Sequence, residues 1–210
     1  MIEDTDLLAA WRGGDKKAGQ ELFRRHAEPV RRFVINKLDR TGPEAEDLIQ
    51  QTFLACVESR DRLEVRVSFR AYLLGIARNK VRKHWEARRI KGGNTDIDDV
   101  AIADLSSSPS SVVARSQEER CLLEALRRLP LRDQTALELS YWENLSTREI
   151  GEILDVPLET VQSRIRRARE RLTKEVSRMV GILGVPDSTD EDLAGWAEDI
   201  RGRLVEPTGS

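Results

Sequence analysis

One short segment near the C-terminus carries side chains that suit recognition of duplex DNA. Its outward positions begin with Thr160, Gln162 and Ser163, short hydrogen-bonding groups that suit base edges in a groove. Five arginines follow between Arg164 and Arg171, where DNA phosphates would flank those edges. These residue types predict a DNA-binding face. Taken alone, they leave open an ordinary solvated helix rich in arginine.

A helix-turn-helix is the element that would position these side chains. Ser146 followed by Glu149 has capping-box spacing and predicts the start of a first helix. Asp155-Val156-Pro157 breaks that helix within one turn, and proline suits the beginning of the next helix. The apolar stripe predicted for the second helix consists of Val161, Ile165, Ala168 and Leu172. Such a second helix can enter a major groove.

A second basic surface is predicted on a long helix that starts at Ser68 and runs to about residue 90. Its basic and polar positions include Arg70, Arg78, Asn79 and Arg82. Tyr72 and Trp85 are interleaved among the basic positions, although Phe69, Tyr72 and their apolar neighbours also form an inward face. Basic groups with aromatic faces between them suit a single nucleic-acid strand. The alternative is a solvated helix with core aromatics.

Two earlier segments are also predicted to be helical. Asp15 can cap a helix that Pro29 is expected to kink or divide. Residues 44–59 form the next predicted helix, with a polar face that includes Glu46, Asp47, Gln50 and Gln51. Its inward positions are predicted to be Leu48, Phe53, Leu54 and Val57.

Composition restricts the class of protein. The chain has 210 residues, 39% of them hydrophobic and 34% charged, with a helix-favouring mixture of residue types. No apolar run approaches the roughly 20 residues that a bilayer requires, and the acidic N-terminal segment lacks a secretory signal, so a cytoplasmic protein is expected. Cys56 and Cys121 are predicted to be buried thiols. With no glycine-rich phosphate loop, metal-ligand cluster or nucleophile beside a histidine, neither an enzyme nor a cofactor is predicted.

Charge is divided unevenly along the chain. Residues 1–90 hold 19 basic and 14 acidic residues, a net charge of +5, whereas residues 181–210 hold 2 and 7, a net charge of −5. Residues 91–116 are rich in Gly, Ser and Asp and predict a flexible linker. The net charge of −2 therefore does not argue against a nucleic-acid partner.

Three stretches carry a resemblance to a known family. They are EAEDLIQQTFLAC, SFRAYLLGIARNKVRKHW and LPLRDQTALELSYWENLSTREIGEILDVPLETVQSRIRRARERL, in that order. Together they resemble the sigma-70 family of RNA polymerase sigma factors, in the small extracytoplasmic-function (ECF) group. The resemblance covers roughly residues 5–90 and 117–178.

The resemblance implies an all-α fold with two helical domains, a flexible linker and a short C-terminal helical extension. Sigma domain 2 would span 1–90, the linker 91–116, sigma domain 4 117–180 and the acidic extension 181–210. Such a protein would bind core RNA polymerase and direct it to specific promoters, with the −10 element as a melted strand and the −35 element as duplex. An anti-sigma factor is a further partner that the resemblance suggests.

The family's functional positions can be carried over residue by residue. Core polymerase is implied as a partner through a coiled coil of its largest subunit and through its flap. Contact with the coiled coil is implied for Asp47, Gln50 and Gln51. Contact with the −10 strand is implied for Ser68, Phe69, Arg70, Tyr72, Arg78, Asn79 and Arg82. Contact with the −35 duplex is implied for Thr160, Gln162, Ser163, Arg164, Arg166, Arg167 and Arg169.

Several alternatives stay open from the sequence. The chain could be a stand-alone helix-turn-helix regulator, or a sigma-like adaptor that binds proteins without starting transcription. The linker aspartates could mimic a phosphate chain inside polymerase, or the linker could be a solvated tether. The amphipathic acidic segment near the C-terminus could mask a DNA surface or cap domain 4.

Overall fold

The computed structural model describes residues 2–38, 43–62, 68–88, 96–105 and 117–183. Within these ranges the chain forms helices and turns, with one isolated bridge between Ala101 and Pro130 and no β-strand, so the expected all-α class is confirmed. The α-helices are α1 (Asp4–Arg12), α2 (Lys16–Ile35), α3 (Pro43–Glu58), α4 (Phe69–Arg88), α5 (Ile102–Leu105), α6 (Gln117–Arg127), α7 (Leu131–Leu137), α8 (Thr147–Leu154) and α9 (Leu158–Leu183).

Helices α1 to α4 form an N-terminal unit. α1 packs on α2, and α4 packs on both α2 and α3. The Asp15 side chain accepts hydrogen bonds from the backbone N–H groups of Lys17 and Ala18, which confirms the predicted N-cap. Pro29 was expected to kink or divide this helix; division is excluded, because α2 continues through Pro29 to Ile35.

Close approach of α1 and α2 depends on a glycine. The Trp11 indole is 6% exposed and lies against Gly19, where an added Cβ would overlap the ring. Trp11 also packs edge-on against Phe23, with ring centroids 5.3 Å apart. Gly75 in α4 differs, because a Cβ there would meet no atom within 4 Å.

These two glycines predict opposite effects of the same substitution. Gly19→Ala is expected to lower the free energy of unfolding by about 1–3 kcal/mol, because the indole must shift out of a packed core. Gly75→Ala is expected to raise it by about 0.5–1 kcal/mol, because alanine reduces the entropy of the unfolded chain in a helix with room for the methyl group. Urea denaturation followed by circular dichroism measures both. Equal effects of the two substitutions would contradict the described packing of α1 on α2.

Helices α6 to α9 form a C-terminal unit that contains the predicted helix-turn-helix. Ser146 and Glu149 make both hydrogen bonds of a capping box at the start of α8, as predicted. Asp155 ends α8 in the left-handed conformation, with φ 53°. Helix α9 runs past Gly181 to Leu183. Its predicted apolar stripe is correct, with Val161, Ala168 and Leu172 buried and Ile165 half-buried.

Between α7 and α8, residues Glu138–Trp142 form a π-helical turn. The Glu143 N–H donates to the Glu138 carbonyl, a hydrogen bond that spans five residues. In a regular α-helix these two side chains would point about 140° apart. The wider turn brings them onto one side, where Glu143 contacts Arg32 on α2 and Glu138 contacts Lys37 just after the end of α2.

The two units pack directly against each other. One hydrophobic cluster joins buried residues of α1–α4 to α7, the π turn, α8 and the start of α9, while a second cluster fills the rest of the C-terminal unit. Helix α4 lies against α8. The side chains of Leu73 and Leu74 on α4 and of Ile150 on α8 are fully buried in the shared cluster.

The described part of the linker is held between the units. Ile97 and Ile102 are 2% and 0% exposed, and the Leu131 N–H donates to the Val100 carbonyl at 2.9 Å. Ion pairs join Asp98 to α4 and Asp99 to α7. The composition of the linker did not predict this packing. Its glycine and serine content is typical of a flexible chain, although the segment also contains Ile97 and Ile102, which are buried. The expected C-terminal helix lies outside the described residues.

Cys56 and Cys121 are buried and free, as predicted. Burial raises the pKa of the Cys56 thiol to about 12, which keeps it protonated and unreactive near neutral pH. Among the helices in the described ranges, none has both the length and the apolar character of a membrane span.

Candidate nucleic-acid and polymerase interfaces

The second helix of the helix-turn-helix presents an open polar and basic face. Gln162, Arg166 and Arg167 are exposed, and the remaining predicted duplex-binding residues on this helix are partly exposed, namely Thr160, Ser163, Arg164 and Arg169. Arg167 donates to the Ser163 carbonyl at 3.1 Å, and Arg166 pairs with Glu170 one turn along the same helix. The buried stripe packs the opposite side of α9 into the core and leaves this face open to solvent.

Helix α4 holds the residues predicted for the single strand, but its basic face is partly covered. Asn79 is exposed, whereas Ser68, Arg70, Arg78 and Arg82 are partly buried. Each of these four contacts an acidic side chain. The only predicted polar side chain of this set that is open in the described structure is Asn79.

Most of these acids come from the linker and the C-terminal unit, and Arg82 also pairs at 2.7 Å with Glu86 of α4 itself. Ser68 donates to Glu149 at 2.6 Å, and Arg78 donates to Asp98 at 2.6 Å. Arg70 donates to Glu143, whose side chain is 2% exposed. Arg82 lies 4.0 Å from Asp98. The three hydrogen bonds join segments that are 20 to 81 residues apart in the chain.

The two aromatic candidates on α4 differ in accessibility. Phe69 is 3% exposed and packs against Trp11, Phe23 and His26, so its ring is not open to a base in this conformation. Tyr72 is partly exposed, and its hydroxyl lies 2.7 Å from the Ser59 Oγ. Trp85 is 4% exposed, so its predicted place on the basic surface is wrong.

Beneath these contacts lies a buried ionic cluster between the units. Arg32 on α2 donates twice to the Glu143 Oε1, at 2.8 and 2.6 Å, and the two side chains are 5% and 2% exposed. Lys37 is fully buried and donates to Glu138, which also accepts from Gln134 at 2.8 Å.

Burial shifts the ionisation of the groups in and around this cluster. It lowers the pKa of Lys37 and raises the pKa of Glu138, so each charge depends on its partner. Burial alone would raise the pKa of Glu149. Hydrogen bonds from Ser68 and Ser146 to its carboxylate have a larger combined effect, so the pKa of Glu149 is lowered. On α9, burial lowers the pKa of Arg164.

Helix α3 presents the predicted polymerase-binding residues together with apolar side chains. Asp47 and Gln50 are exposed, and Gln51 is partly exposed and donates to Asp47 at 2.7 Å. The predicted inward position of Leu54 and Val57 is wrong, because they are 56% and 46% exposed.

The helix spacing explains the error. The residues of α3 that are buried in the core are Ala45, Leu48, Thr52 and Cys56. At 3.6 residues per turn, Leu54 lies about 20° from Asp47 and on the side opposite that stripe. Apart from Leu48, the buried stripe of α3 consists of small side chains, while the large Leu54 and Val57 lie outside it. A count of large apolar residues misses this arrangement, and a helical projection would have found it.

The fold and these surfaces define a class of protein. An N-terminal helical unit with an exposed polar and apolar face and a basic helix, followed by a helix-turn-helix unit, is the architecture of a promoter-recognition factor. Residues 22–90 match the family described as Sigma-70 region 2, and residues 119–172 match Sigma-70, region 4.

Whole-chain comparisons agree with those matches. The RNA polymerase sigma factor CarQ of Myxococcus xanthus is 32% identical over 168 residues, which cover 79% of this chain and 92% of that protein. The ECF RNA polymerase sigma-E factor of Haemophilus influenzae is 28% identical over 86% of this chain and 98% of that protein. The chain therefore belongs to the sigma-70 family, in the ECF group, and is a promoter-specific transcription initiation factor.

Two solved structures have the same fold. CnrH, in complex with the cytosolic domain of CnrY, has a TM-score of 0.63 and 23% identity, and the match covers 83% of this chain and 97% of CnrH. The sigma factor RpoE of Bartonella quintana, in complex with the anti-sigma factor NepR, has a TM-score of 0.61 and 22% identity, with 77% and 98% covered.

The residues that sequence reasoning missed are mostly acids of the C-terminal unit. No role was predicted for Glu138 or Glu143, and their contacts lie 101 and 111 residues away. The local signal that was available is the apolar context: both acids lie within LELSYWENL, where four large apolar side chains surround them.

Proposed function

We propose that this initiation factor engages core polymerase through α3, the melted −10 strand through α4 and the −35 duplex through α9. The observation that carries the proposal is the presence of one basic helix in each stretch that matches a sigma region. The two helices lie in different structural contexts, and their proposed targets are different forms of DNA, a duplex and a single strand. α9 belongs to a helix-turn-helix, which suits a major groove, whereas α4 does not.

For core polymerase, the proposed contact is the face of α3 formed by Asp47, Gln50, Gln51, Leu54 and Val57. Large apolar side chains that stay exposed beside polar ones are typical of a protein interface. The partner surface would be the coiled coil of the largest subunit, since a helix packs well along a coiled coil. Leu54 would form the apolar centre of the contact, with Asp47 and Gln50 at its rim.

For the duplex, the proposed base contacts are Thr160, Gln162, Ser163, Arg166 and Arg167, with Arg164 and Arg169 nearer the phosphates. Glutamine suits the edge of adenine and arginine the edge of guanine. The exposure of Gln162, Arg166 and Arg167 supports this assignment. For the strand, the proposed contacts are Ser68, Arg70, Tyr72, Arg78, Asn79 and Arg82, with Phe69 fixing the end of α4.

Two substitutions on α9 should have distinct signatures. Gln162→Ala is expected to cost about 1–3 kcal/mol of binding free energy at a single base pair. Arg164→Ala is expected to weaken binding to every sequence and to reduce the salt slope by about 0.9, because one fewer counterion is released. Fluorescence anisotropy on promoter fragments at several salt concentrations measures both. Arg178→Ala, which removes an exposed arginine near the end of α9, should change neither.

The proposal as a whole is tested by transcription in vitro. The full-length protein and bacterial core polymerase would act on a fragmented genomic library, and the RNA 5′ ends would be sequenced. Discrete starts that share one motif near −10 and another near −35 are expected. Tight binding to core without such starts would favour a protein-interaction adaptor. Duplex binding without core binding would favour a stand-alone regulator.

The proposal also covers the cellular location of the protein, its role and a further partner. A factor that meets core polymerase and chromosomal promoters acts in the cytoplasm, and its role is regulatory rather than catalytic, since the chemistry belongs to the polymerase. An anti-sigma factor is a proposed partner, because RpoE and NepR were solved together as such a pair.

A further inference from the structure

We infer that the buried carboxylate of Asp133 on α7 positions Arg171 of α9 as a further contact to the phosphates of duplex DNA. Neither residue is among the duplex contacts proposed above. Arg171 would touch the DNA, whereas Asp133 would act only through Arg171 and is a positioning residue. The inference rests on the proposed assignment of α9 to the −35 duplex.

The first step is a charged anchor beneath one side of α9. Asp133 is 3% exposed and lies in the first turn of α7, the helix that packs on α9. Its Oδ2 accepts a hydrogen bond from Arg171 Nη1, and its Oδ1 lies 3.8 Å from Arg132 Nε. A carboxylate this deep is stable only when it is paired. The contact therefore holds the Arg171 side chain in one orientation.

The second step is that Arg171 is anchored and still accessible. Its side chain is 48% exposed although its guanidinium meets a carboxylate that is 4% exposed. A guanidinium carries several N–H donors in a planar fork, and Nη1 alone donates to Asp133 in the described structure. The outward donors can hold a phosphate oxygen at the same time. An arginine that is already ordered loses less rotamer freedom on binding than a free one.

The third step is the place of Arg171 on the helix. At 3.6 residues per turn, Arg164 and Arg171 lie about 20° apart on one side of α9, about 60–80° from the buried Val161. That side borders the open face that presents Ser163 and Arg167. Because phosphates flank the base edges in a groove, arginines at the border of a reading face suit the DNA backbone.

The fourth step is the electrostatic surroundings of Asp133. Burial lowers the pKa of the nearby Arg164, the charge of Arg132 lowers it further, and Asp133 acts in the opposite direction. Asp133 is thus a shared counter-charge for guanidinium groups on α7 and α9. Without it these groups would repel one another, and Arg171 would turn away from α7 into solvent.

A positioning role and a simple charge effect predict opposite results. An acid close to DNA repels the phosphates, so its removal by itself should strengthen binding to any duplex. If Asp133 orders Arg171 for a phosphate, its removal should weaken binding instead. The loss should also be the same for every sequence, because a phosphate contact reads no base.

The experiment is fluorescence anisotropy of the full-length protein with a short fluorescein-labelled duplex of random sequence at several salt concentrations. Arg171→Ala is expected to weaken binding about fivefold and to reduce the salt slope by about 0.9. Asp133→Asn is expected to weaken binding about threefold or more and to reduce the slope in the same direction. The double variant Asp133→Asn/Arg171→Ala should bind within about twofold of Arg171→Ala, because Asp133 acts through Arg171.

Two matched controls separate position from charge. Arg178→Ala removes an exposed arginine from the same side of α9, about 10 Å further along the helix. Glu124→Gln removes an acid from a partly exposed position on α6. Both should bind within about twofold of the wild type.

Three results would overturn the inference. They are tighter binding by Asp133→Asn, a full additional loss in the double variant, and weaker binding by Asp133→Asn with an unchanged salt slope. The last result would mean that Asp133 supports only the fold, since a smaller folded fraction lowers apparent affinity without altering the number of phosphate contacts.

Circular dichroism and a cooperative melting transition establish that each variant is folded. If Asp133→Asn does not fold, Arg171→Lys provides the test. An ammonium lacks the planar fork that meets a carboxylate and a phosphate in fixed directions, so it should bind about threefold more weakly than the wild type. Binding equal to that of the wild type would overturn the inference.

The proposed function is tested separately by Gln162→Ala on a promoter duplex. Loss of preference at one base pair in Gln162→Ala, without any effect of Arg171→Ala, would remove the inference and leave α9 as the duplex-binding helix. No effect of either substitution would count against α9 itself.

Discussion

Replacement of Leu54 by glutamate is expected to lower transcription from any promoter this factor serves by about 30-fold to 700-fold. Leu54 is 56% exposed and takes no part in the core, so the fold should tolerate the change. At the centre of a docked interface, however, a buried carboxylate without a partner is costly. Removal of such a central residue typically costs about 2–4 kcal/mol of binding free energy, which gives that range of rates when core polymerase is limiting.

The measurement is a core-polymerase pull-down followed by single-round transcription. Ile2→Glu is the matched control, because Ile2 is a large apolar residue of the same unit that is 60% exposed and lies outside α3. It should retain core binding within about twofold. If Leu54→Glu binds core as well as the control does, the assigned face of α3 is wrong; if its melting temperature falls, Leu54 is part of the fold after all.

The same helix illustrates how far the sequence could predict the site. The helix itself and its polar residues follow from local pattern, as do the caps at Asp15 and Ser146. The side on which large apolar residues lie was misjudged, because the core contact of α3 uses Ala45, Thr52 and Cys56. Local periodicity predicts which residues share a face of the helix. The surface of the helices packed against α3 decides whether small or large residues fit on the buried face.

The contacts between the two units could not be predicted from local sequence pattern, for a different reason. Lys37 reads as a solvated cation at the end of a helix, and nothing near it in the chain specifies a partner 101 residues away. The π-helical turn that brings Glu138 and Glu143 to one side also leaves no composition signal. The sequence therefore predicts two units and their DNA-binding helices, but not that the acids of one unit cover the basic face of the other.

Replacement of the buried Lys37–Glu138 pair by apolar residues is expected to leave the protein about as stable as the wild type. Burial lowers the pKa of Lys37 and raises the pKa of Glu138, so each charge is tolerated only because the other is present. Glu138→Leu alone should therefore lower the free energy of unfolding by about 3–5 kcal/mol, because it leaves the buried ammonium of Lys37 without its partner. The double variant Lys37→Met/Glu138→Leu removes both desolvation penalties at similar volume and should lie within about 2 kcal/mol of the wild type.

Urea denaturation at pH 7 of the wild type, both single variants and the double variant completes the cycle. The exposed pair Arg166–Glu170 provides the comparison, since its side chains are 64% and 53% exposed and its removal should change the unfolding free energy by less than about 1 kcal/mol. Additive losses at Lys37 and Glu138 would mean that the two charges do not depend on each other. A restored double variant should also stay compact in solution, because apolar packing then takes over the contact that the ions made.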